Sequence, residues 1–324
     1  MNILLVGLGR WGEKHLRVLR EVGATVWVAD VAAERRRWAV AHGVEPTQAL
    51  DDYRAALPHV DAVDVVTPAD THLAIAAACL RAGKHCFIEK PLARTAEEGR
   101  RLVATAAETG RVVQVGHIFR FHPVTAVLEE ALATGRIGAI RYATGRFSGF
   151  KRPRTDVGVF QTDGIHYVDL FRVLLRRDPT AVSALQRDFL GRGLDDLSVA
   201  VVHYGDVPVV IEANYFVPGT HRECVIVGDE GSLVADYGTA TVTVHTGVHR
   251  RAGDGWEAVD TGKEELPTGG GEPLRLELEA FLDACAGRRA APVTAADGLI
   301  AVEASEAAAR SAGLARLVTL DEIR

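Results

Sequence analysis

Little in this 324-residue chain points to a metal, a membrane or a nucleic acid. Its 4 cysteines, Cys79, Cys86, Cys224 and Cys285, are scattered with no Cys-x-x-Cys pair. Neither a metal site nor a disulfide framework is therefore expected, and the thiols read as buried and reduced. No apolar run is long enough to span a membrane. The chain enters a strand at once, without a basic leader region, so no signal peptide and a cytoplasmic location are expected. The formal net charge is −6, which excludes the basic footprint of a nucleic-acid binder and a polybasic membrane patch. There is no low-complexity segment and no repeat of solenoid period. The length suits two domains, each with enough residues for its own core.

What is present begins at the first residues. Asn2 to Val6 is a short apolar run, followed by Gly7-Leu8-Gly9-Arg10-Trp11-Gly12 and a helical pattern through His15, Leu16, Val18 and Leu19. Gly7 allows a tight turn, Gly9 lets the backbone approach a pyrophosphate, and Gly12 permits close helix–strand packing. The helix start offers free N–H groups and a partial positive charge to phosphates. Arg10 and Trp11, between the glycines, count with the cofactor set. A second strand, Thr25 to Ala29, ends in Asp30, placed to accept hydrogen bonds from an adenosine ribose. A carboxylate there repels a 2′-phosphate, so NAD is expected over NADP, with NADP kept as the second candidate. Arg35, Arg36 and Arg37 could blunt that preference, but read first as a solvated basic face.

The alternation of strand and helix continues. Asp61 to Thr67 ends in Thr67-Pro68, and Asp70-Thr71-His72 opens the next helix. Thr67, Pro68 and His72 thereby fall beside the nicotinamide end of a dinucleotide, although His72 reads equally well as a solvent-facing helix-start residue. The strand His85 to Glu89 ends in Glu89-Lys90-Pro91, and Thr95 to Thr109 and Val112 to Gly116 complete a doubly wound parallel sheet. In an open α/β sheet the carboxyl ends of strands face the ligand crevice, which is where Glu89 and Lys90 stand. The first domain is expected to comprise residues 1–117 and the second residues 118–324. In the second half, runs rich in Val, Ile, Thr and Tyr recur at 139–147, 199–204, 207–215, 223–228, 232–237 and 241–246. Helices are expected near 165–175, 273–286 and 295–312, and Thr268-Gly269-Gly270-Gly271 reads as a flexible linker.

With these motifs in place, the chain resembles the glucose–fructose oxidoreductase/inositol dehydrogenase (Gfo/Idh/MocA) family over essentially its whole length. The resemblance rests on Gly7-x-Gly9-x-x-Gly12, Thr67-Pro68, Glu89-Lys90-Pro91, the segment from Val115 to Pro123 that holds His117 and Arg120, and Gly164-Ile165-His166 followed by Asp169-Leu170. It implies an α/β Rossmann domain and a C-terminal α+β domain with a large, predominantly antiparallel sheet that often carries oligomer contacts. It further implies a homo-oligomer, dimer or tetramer, and an NAD(P)-dependent oxidoreductase acting on secondary alcohols of sugars, cyclitols or nucleotide sugars.

Such a reaction needs a base for the hydroxyl proton and a donor for the oxygen on which charge develops. His166 suits the first role and Lys90 the second. The family commonly places an aspartate four residues before that histidine. Here Thr162 occupies that place and the acid is displaced to Asp163, which either orients His166 from the same helix face or caps the helix. Thr162 is then a substrate-contacting hydroxyl, and strict inositol dehydrogenase activity is less favoured. The segments 115–123, 151–159 and 228–237 look like a subgroup containing UDP-N-acetylglucosamine 3-dehydrogenases. Lys151, Arg152 and Arg154 could clamp a phosphate or carboxylate, or form a solvated loop. His117, Arg120, Arg152, Arg154, Thr162, Lys90 and His166 thus make up the candidate substrate set. The competing readings are a dinucleotide-binding regulator without catalysis and a same-fold enzyme cleaving glycosides through transient oxidation.

Overall fold

A computed structural model describes all residues, 1–324. The chain divides into two compact units, residues 1–118 with 272–302 and residues 119–271 with 303–324.

The first unit alternates β1 (Asn2–Val6), α1 (Arg10–Glu21), β2 (Thr25–Ala29), α2 (Ala33–Ala41), β3 (Ala49–Leu50), β4 (Ala62–Val65), α3 (Ala69–Arg81), β5 (His85–Glu89), α4 (Ala96–Thr109) and β6 (Val113–Gly116). All neighbouring strands run parallel in the order β3-β2-β1-β4-β5-β6. That order reverses direction between β1 and β4, so the loops after these two strands flank the switch point where ligands bind in such sheets. The strands are apolar on both faces because helices cover both: Ile3, Leu4 and Leu5 are fully buried. Thr95 caps α4 by accepting from the Glu98 amide, and Gly110 in the left-handed region ends it.

The segment 272–302, which the sequence placed with the C-terminal half, packs in this first unit. The reason is apolar complementarity. Leu274, Leu278 and Phe281 of α7 (Pro273–Cys285) join Leu16, Leu19 and Phe87 in one core cluster. Phe281 meets Phe87 edge-on at 5.7 Å between centroids. Gln114 on β6 also donates to the Glu277 carbonyl at 2.8 Å.

The second unit contains α5 (Pro123–Ala133), β7 (Ile140–Gly149), α6 (Ile165–Leu175), β8 (Ala181–Arg187), β9 (Leu197–Tyr204), β10 (Val207–Asn214), β11 (Thr220–Gly228), β12 (Gly231–Asp236), β13 (Thr241–Ala252) and β14 (Gly255–Leu266). After the long helix α8 (Ala295–Leu314), which runs across the division of the chain, β15 (Val318–Thr319) closes the edge. The sheet has 9 strands in the order β14-β13-β12-β11-β7-β10-β9-β8-β15, and only β7 and β10 pair in parallel. Ser198, Ala200, Val202 and Tyr204 face the core while Val199, Val201 and His203 alternate outward. The helix α5 and the strands β8 and β14 were not anticipated from the sequence. Every residue of β14 from Gly255 to Ala258 is exposed, so it shows none of the one-sided burial that marks a strand.

Candidate active site

In the first unit the glycine turn has the geometry of a phosphate cradle. Gly7 adopts φ +98°, a conformation that disfavours any side chain, and a Cβ there would also strike the Val66 carbonyl. A Cβ on Gly12 would lie 2.1 Å from the Gly7 carbonyl oxygen, so only glycine lets α1 start so close to β1. At Gly9 a Cβ would meet nothing within 4 Å, which leaves open space before the N-terminus of α1. This space and the free amides behind it fit a dinucleotide pyrophosphate. Arg10 and Trp11 open α1 directly after that cradle.

Asp30 stands at the end of β2 with its carboxylate held in place. One oxygen accepts from the Leu8 amide at 2.7 Å and the other from the Ala32 amide at 2.8 Å. Two of the three following arginines are not a solvated face. Arg35 donates to the Leu8 carbonyl and pairs with Glu13, while Arg36 donates to the carbonyls of Asp30 and Val31. They brace the ribose-side loop because its turn leaves these carbonyls without ladder partners.

Lys90 is half-buried at the end of β5, adjoining β4, and its peptide bond to Pro91 is cis. His72 is fully buried, which overturns its reading as a solvent-facing residue. Its ring spans the carbonyls of Thr67 and Pro91, each at 2.9 Å, and so ties the loop after β4 to the loop after β5. The hydroxyls of Thr71 and Thr67 bond to each other at 2.7 Å beside it.

Glu89, beside Lys90, belongs to a network the sequence did not reveal. One oxygen accepts from the Trp11 indole at 2.8 Å, and the other accepts from the Lys90 amide at 3.1 Å. His15 lies fully buried between Glu89 and Asp64, with Nε2 3.3 Å from the former and Nδ1 2.8 Å from the latter. Burial alone would lower the His15 pKa, but the two carboxylates outweigh it and push it up to about 10. Burial acts to raise Glu89, yet His15, Lys90 and Trp11 together hold it below the usual carboxylate range. His15 is therefore an imidazolium at neutral pH, and Glu89 is ionised.

In the second unit, α6 carries His166 into a column of rings. The imidazole stacks on Phe119 at 4.8 Å and on Phe147 at 5.3 Å, and Phe119 stacks on Tyr237 at 4.4 Å. The Tyr237 hydroxyl bonds to Thr125 at 2.9 Å. The Arg222 guanidinium covers the Phe147 face 3.3 Å from its centroid, and Lys151 Nζ lies 4.9 Å from the same ring. These aromatic and basic neighbours come from four separate segments, and their convergence on His166 is set by the tertiary fold.

A π-helical turn, Phe160–Gly164, precedes α6, so Asp163 lies inside continuous helical backbone and does not serve as its N-cap. Its carboxylate is buried and ion-paired with Lys151 Nζ at 2.7 Å. Thr162 donates to the Gly158 carbonyl at 2.8 Å. The basic loop is thus partly committed: Lys151 to Asp163, and Arg154 to Asp156, while Arg152 is exposed. Arg120 is committed as well, because its guanidinium forms a two-pronged pair with the buried Asp169, Nε to Oδ2 at 2.7 Å. A buried carboxylate requires such a counter-charge. His117 is buried at the end of the first unit, its amide donating to the Val115 carbonyl at 2.8 Å.

The strand order, the glycine cradle and the anchored Asp30 define a dinucleotide-binding Rossmann fold. Residues 1–117 match the GFO/IDH/MocA oxidoreductase family with its NAD-binding Rossmann fold, and residues 125–234 match the GFO/IDH/MocA C-terminal domain. The chain belongs to the GFO/IDH/MocA family. It is 30% identical over 297 residues to a UDP-N-acetylglucosamine 3-dehydrogenase of Acidithiobacillus ferrooxidans, covering 89% of this chain and 90% of the relative. It is 31% identical over 332 residues to inositol 2-dehydrogenase 1 of Saccharopolyspora erythraea, covering 96% and 94%. A solved structure of the Acidithiobacillus ferrooxidans enzyme superposes with a TM-score of 0.81 at 26% identity, over 96% of this chain and 97% of that one. Its relatives are dehydrogenases and reductases acting on CH–OH groups, and its cofactor is NAD.

Proposed function

We propose that this oxidoreductase moves a hydride between NAD and a secondary alcohol or ketone of a nucleotide sugar of the UDP-N-acetylglucosamine type. The relatives named for that substrate and for inositol support the class. The observation that carries the reading is the placement of Lys90 at the carboxyl end of β5, the neighbour of the switch-point strand β4. When bound, NAD supplies the two-electron acceptor or donor. Lys90 donates to the substrate oxygen on which charge develops, and His166, fixed by its ring stack, takes or returns the hydroxyl proton. Thr162 and the half-exposed Lys151 and exposed Arg152 are the proposed substrate contacts of the second unit. His117 is the proposed substrate contact of the first unit beside Lys90.

We further propose a cytoplasmic homo-oligomer. No helix is long and apolar enough to cross a membrane. On the outward face of the nine-stranded sheet, Val234, Val225, Thr144, Val210 and Val201 form one continuous cross-strand row. Leu185 and Val199, paired beside it, are 45% and 37% exposed, a surface suited to a second copy. Light scattering reporting a monomer would refute this.

The function is tested by following NADH with a panel of sugar nucleotides, inositols and free sugars. UDP-N-acetylglucosamine is expected to be turned over fastest. Lys90→Ala should lower kcat by about a hundredfold or more with NAD affinity nearly unchanged. Turnover of none of these compounds, or full activity in the Lys90 variant, would overturn the assignment.

A further inference from the structure

We propose that His15 is a positioning residue for the redox site: through Glu89 it locks the strand end that carries Lys90 to the glycine turn. The inference rests on the reading of Lys90 given above.

The network joins α1, β4 and β5. Both oxygens of Glu89 are used, and each partner belongs to a different motif. Trp11 sits in the glycine turn, and the Lys90 amide sits in the Glu-Lys-Pro strand end. The carboxylate occupies the space that a side chain at residue 116 would need, since a Cβ on Gly116 would stand 2.8 Å from it. What holds this anion in a dry interior is the imidazolium of His15, whose second nitrogen binds Asp64. The charged groups facing His15 are these two carboxylates. The edges of Trp11 and Phe87 close the remaining sides at 5.8 and 5.7 Å between centroids, and Lys90 lies beyond Glu89.

A core with no role beyond stability would gain little from this arrangement, because two buried carboxylates and a cation are costly against apolar residues of the same volume. Removing the imidazolium leaves Asp64 and Glu89 buried together without a counter-charge. One of them must then take a proton or move, and the bonds to Trp11 and Lys90 loosen with it. A displacement of about 1 Å of a group that touches the reacting atoms costs about a hundredfold in rate.

The test uses the full chain with NAD and three variants: His15→Gln, Glu89→Gln and the double substitution. Each single change should lower kcat about 10- to 100-fold while the substrate KM stays within about twofold, and the double variant should be no slower than the slower single. Histidine-selective NMR should show His15 doubly protonated through about pH 9, with its pKa falling in Glu89→Gln as one carboxylate is lost. The Trp11 indole resonance should move in both single variants. Folded His15→Gln with kcat within twofold of the parent, additive effects in the double variant, or a His15 titrating near 6.5 would each overturn the proposal. If His15→Gln does not fold, the isosteric Glu89→Gln carries the same kinetic and NMR readings. If the parent turns over no tested sugar, the functional reading fails while the His15 titration and the Trp11 resonance still decide the network.

Discussion

Raising the pH should weaken the first unit through His15. Its folded pKa, about 10, lies above the ordinary value of 6.5 that an unfolded chain shows. Folding therefore favours the protonated ring, and that contribution is complete below about pH 6.5 and is lost as pH rises toward about 10. The gap corresponds to about 5 kcal/mol at most. Asp64, whose pKa burial raises against the pull of His15, also binds its proton more tightly when folded and so adds to the fall in stability with rising pH; a loss of a few kcal/mol is expected. Against a total stability of about 5–15 kcal/mol, that is enough to move a denaturation midpoint far outside error. Glu89 acts in the opposite direction, since its lowered pKa adds stability that disappears as pH falls below its unfolded range, near 4.5. The network should therefore contribute most between about pH 5 and pH 6.5. Urea unfolding followed by tryptophan fluorescence is the assay, because Trp11, Trp27 and Trp38 all lie in the first unit. The parent should lose several kcal/mol between about pH 6 and pH 10, and His15→Gln should be less stable at about pH 6 and much flatter across that range. Parallel curves for the two proteins would refute the assignment of an imidazolium to His15.

Three other outcomes follow from single contacts. Asp30→Ala should narrow the gap between NAD and NADP dissociation constants by about tenfold, because a carboxylate opposes the 2′-phosphate while Arg35 and Arg36 remain nearby; an unchanged ratio in titration calorimetry would count against Asp30. Arg120→Leu should destabilise the second unit by about 3–5 kcal/mol, since Asp169 would be left buried without its counter-charge; a melting temperature equal to the parent's would contradict that. Asp163→Asn should release Lys151 and change the substrate KM more than kcat. An unchanged KM with a large loss of kcat would instead point to an orienting role toward His166.

Among these residues, some were visible in the chain and some were not. The glycine turn, Asp30 and Glu89-Lys90-Pro91 could be read because each is a short run whose conformation is set by its own φ angles and by the alternation of strand and helix. Lys151 was noticed only as one charge of a basic loop. Its partner Asp163 stood 12 positions away in a stretch read as a possible helix cap, and only the π-helical turn before α6 brings them together. Arg154 read as part of a clamp for a phosphate or carboxylate and Arg120 as a substrate contact, and nothing local showed that Asp156 and Asp169 would neutralise them.

The sequence alone determined the alternation of the first half, the dinucleotide turn, the strand end that bears Lys90 and the strand-rich character of the second half. These follow from periodicity and from backbone limits that act over a few residues. The tertiary structure decided which distant pieces share a core. It drew α7 back to the first unit through Leu274, Leu278 and Phe281, and it assembled rings from separate segments around His166. It also set His15 between Asp64 and Glu89, turning an ordinary helix position into a buried cation. Burial and charge pairing arise only when remote segments meet, and so the chemistry of that histidine is a property of the fold.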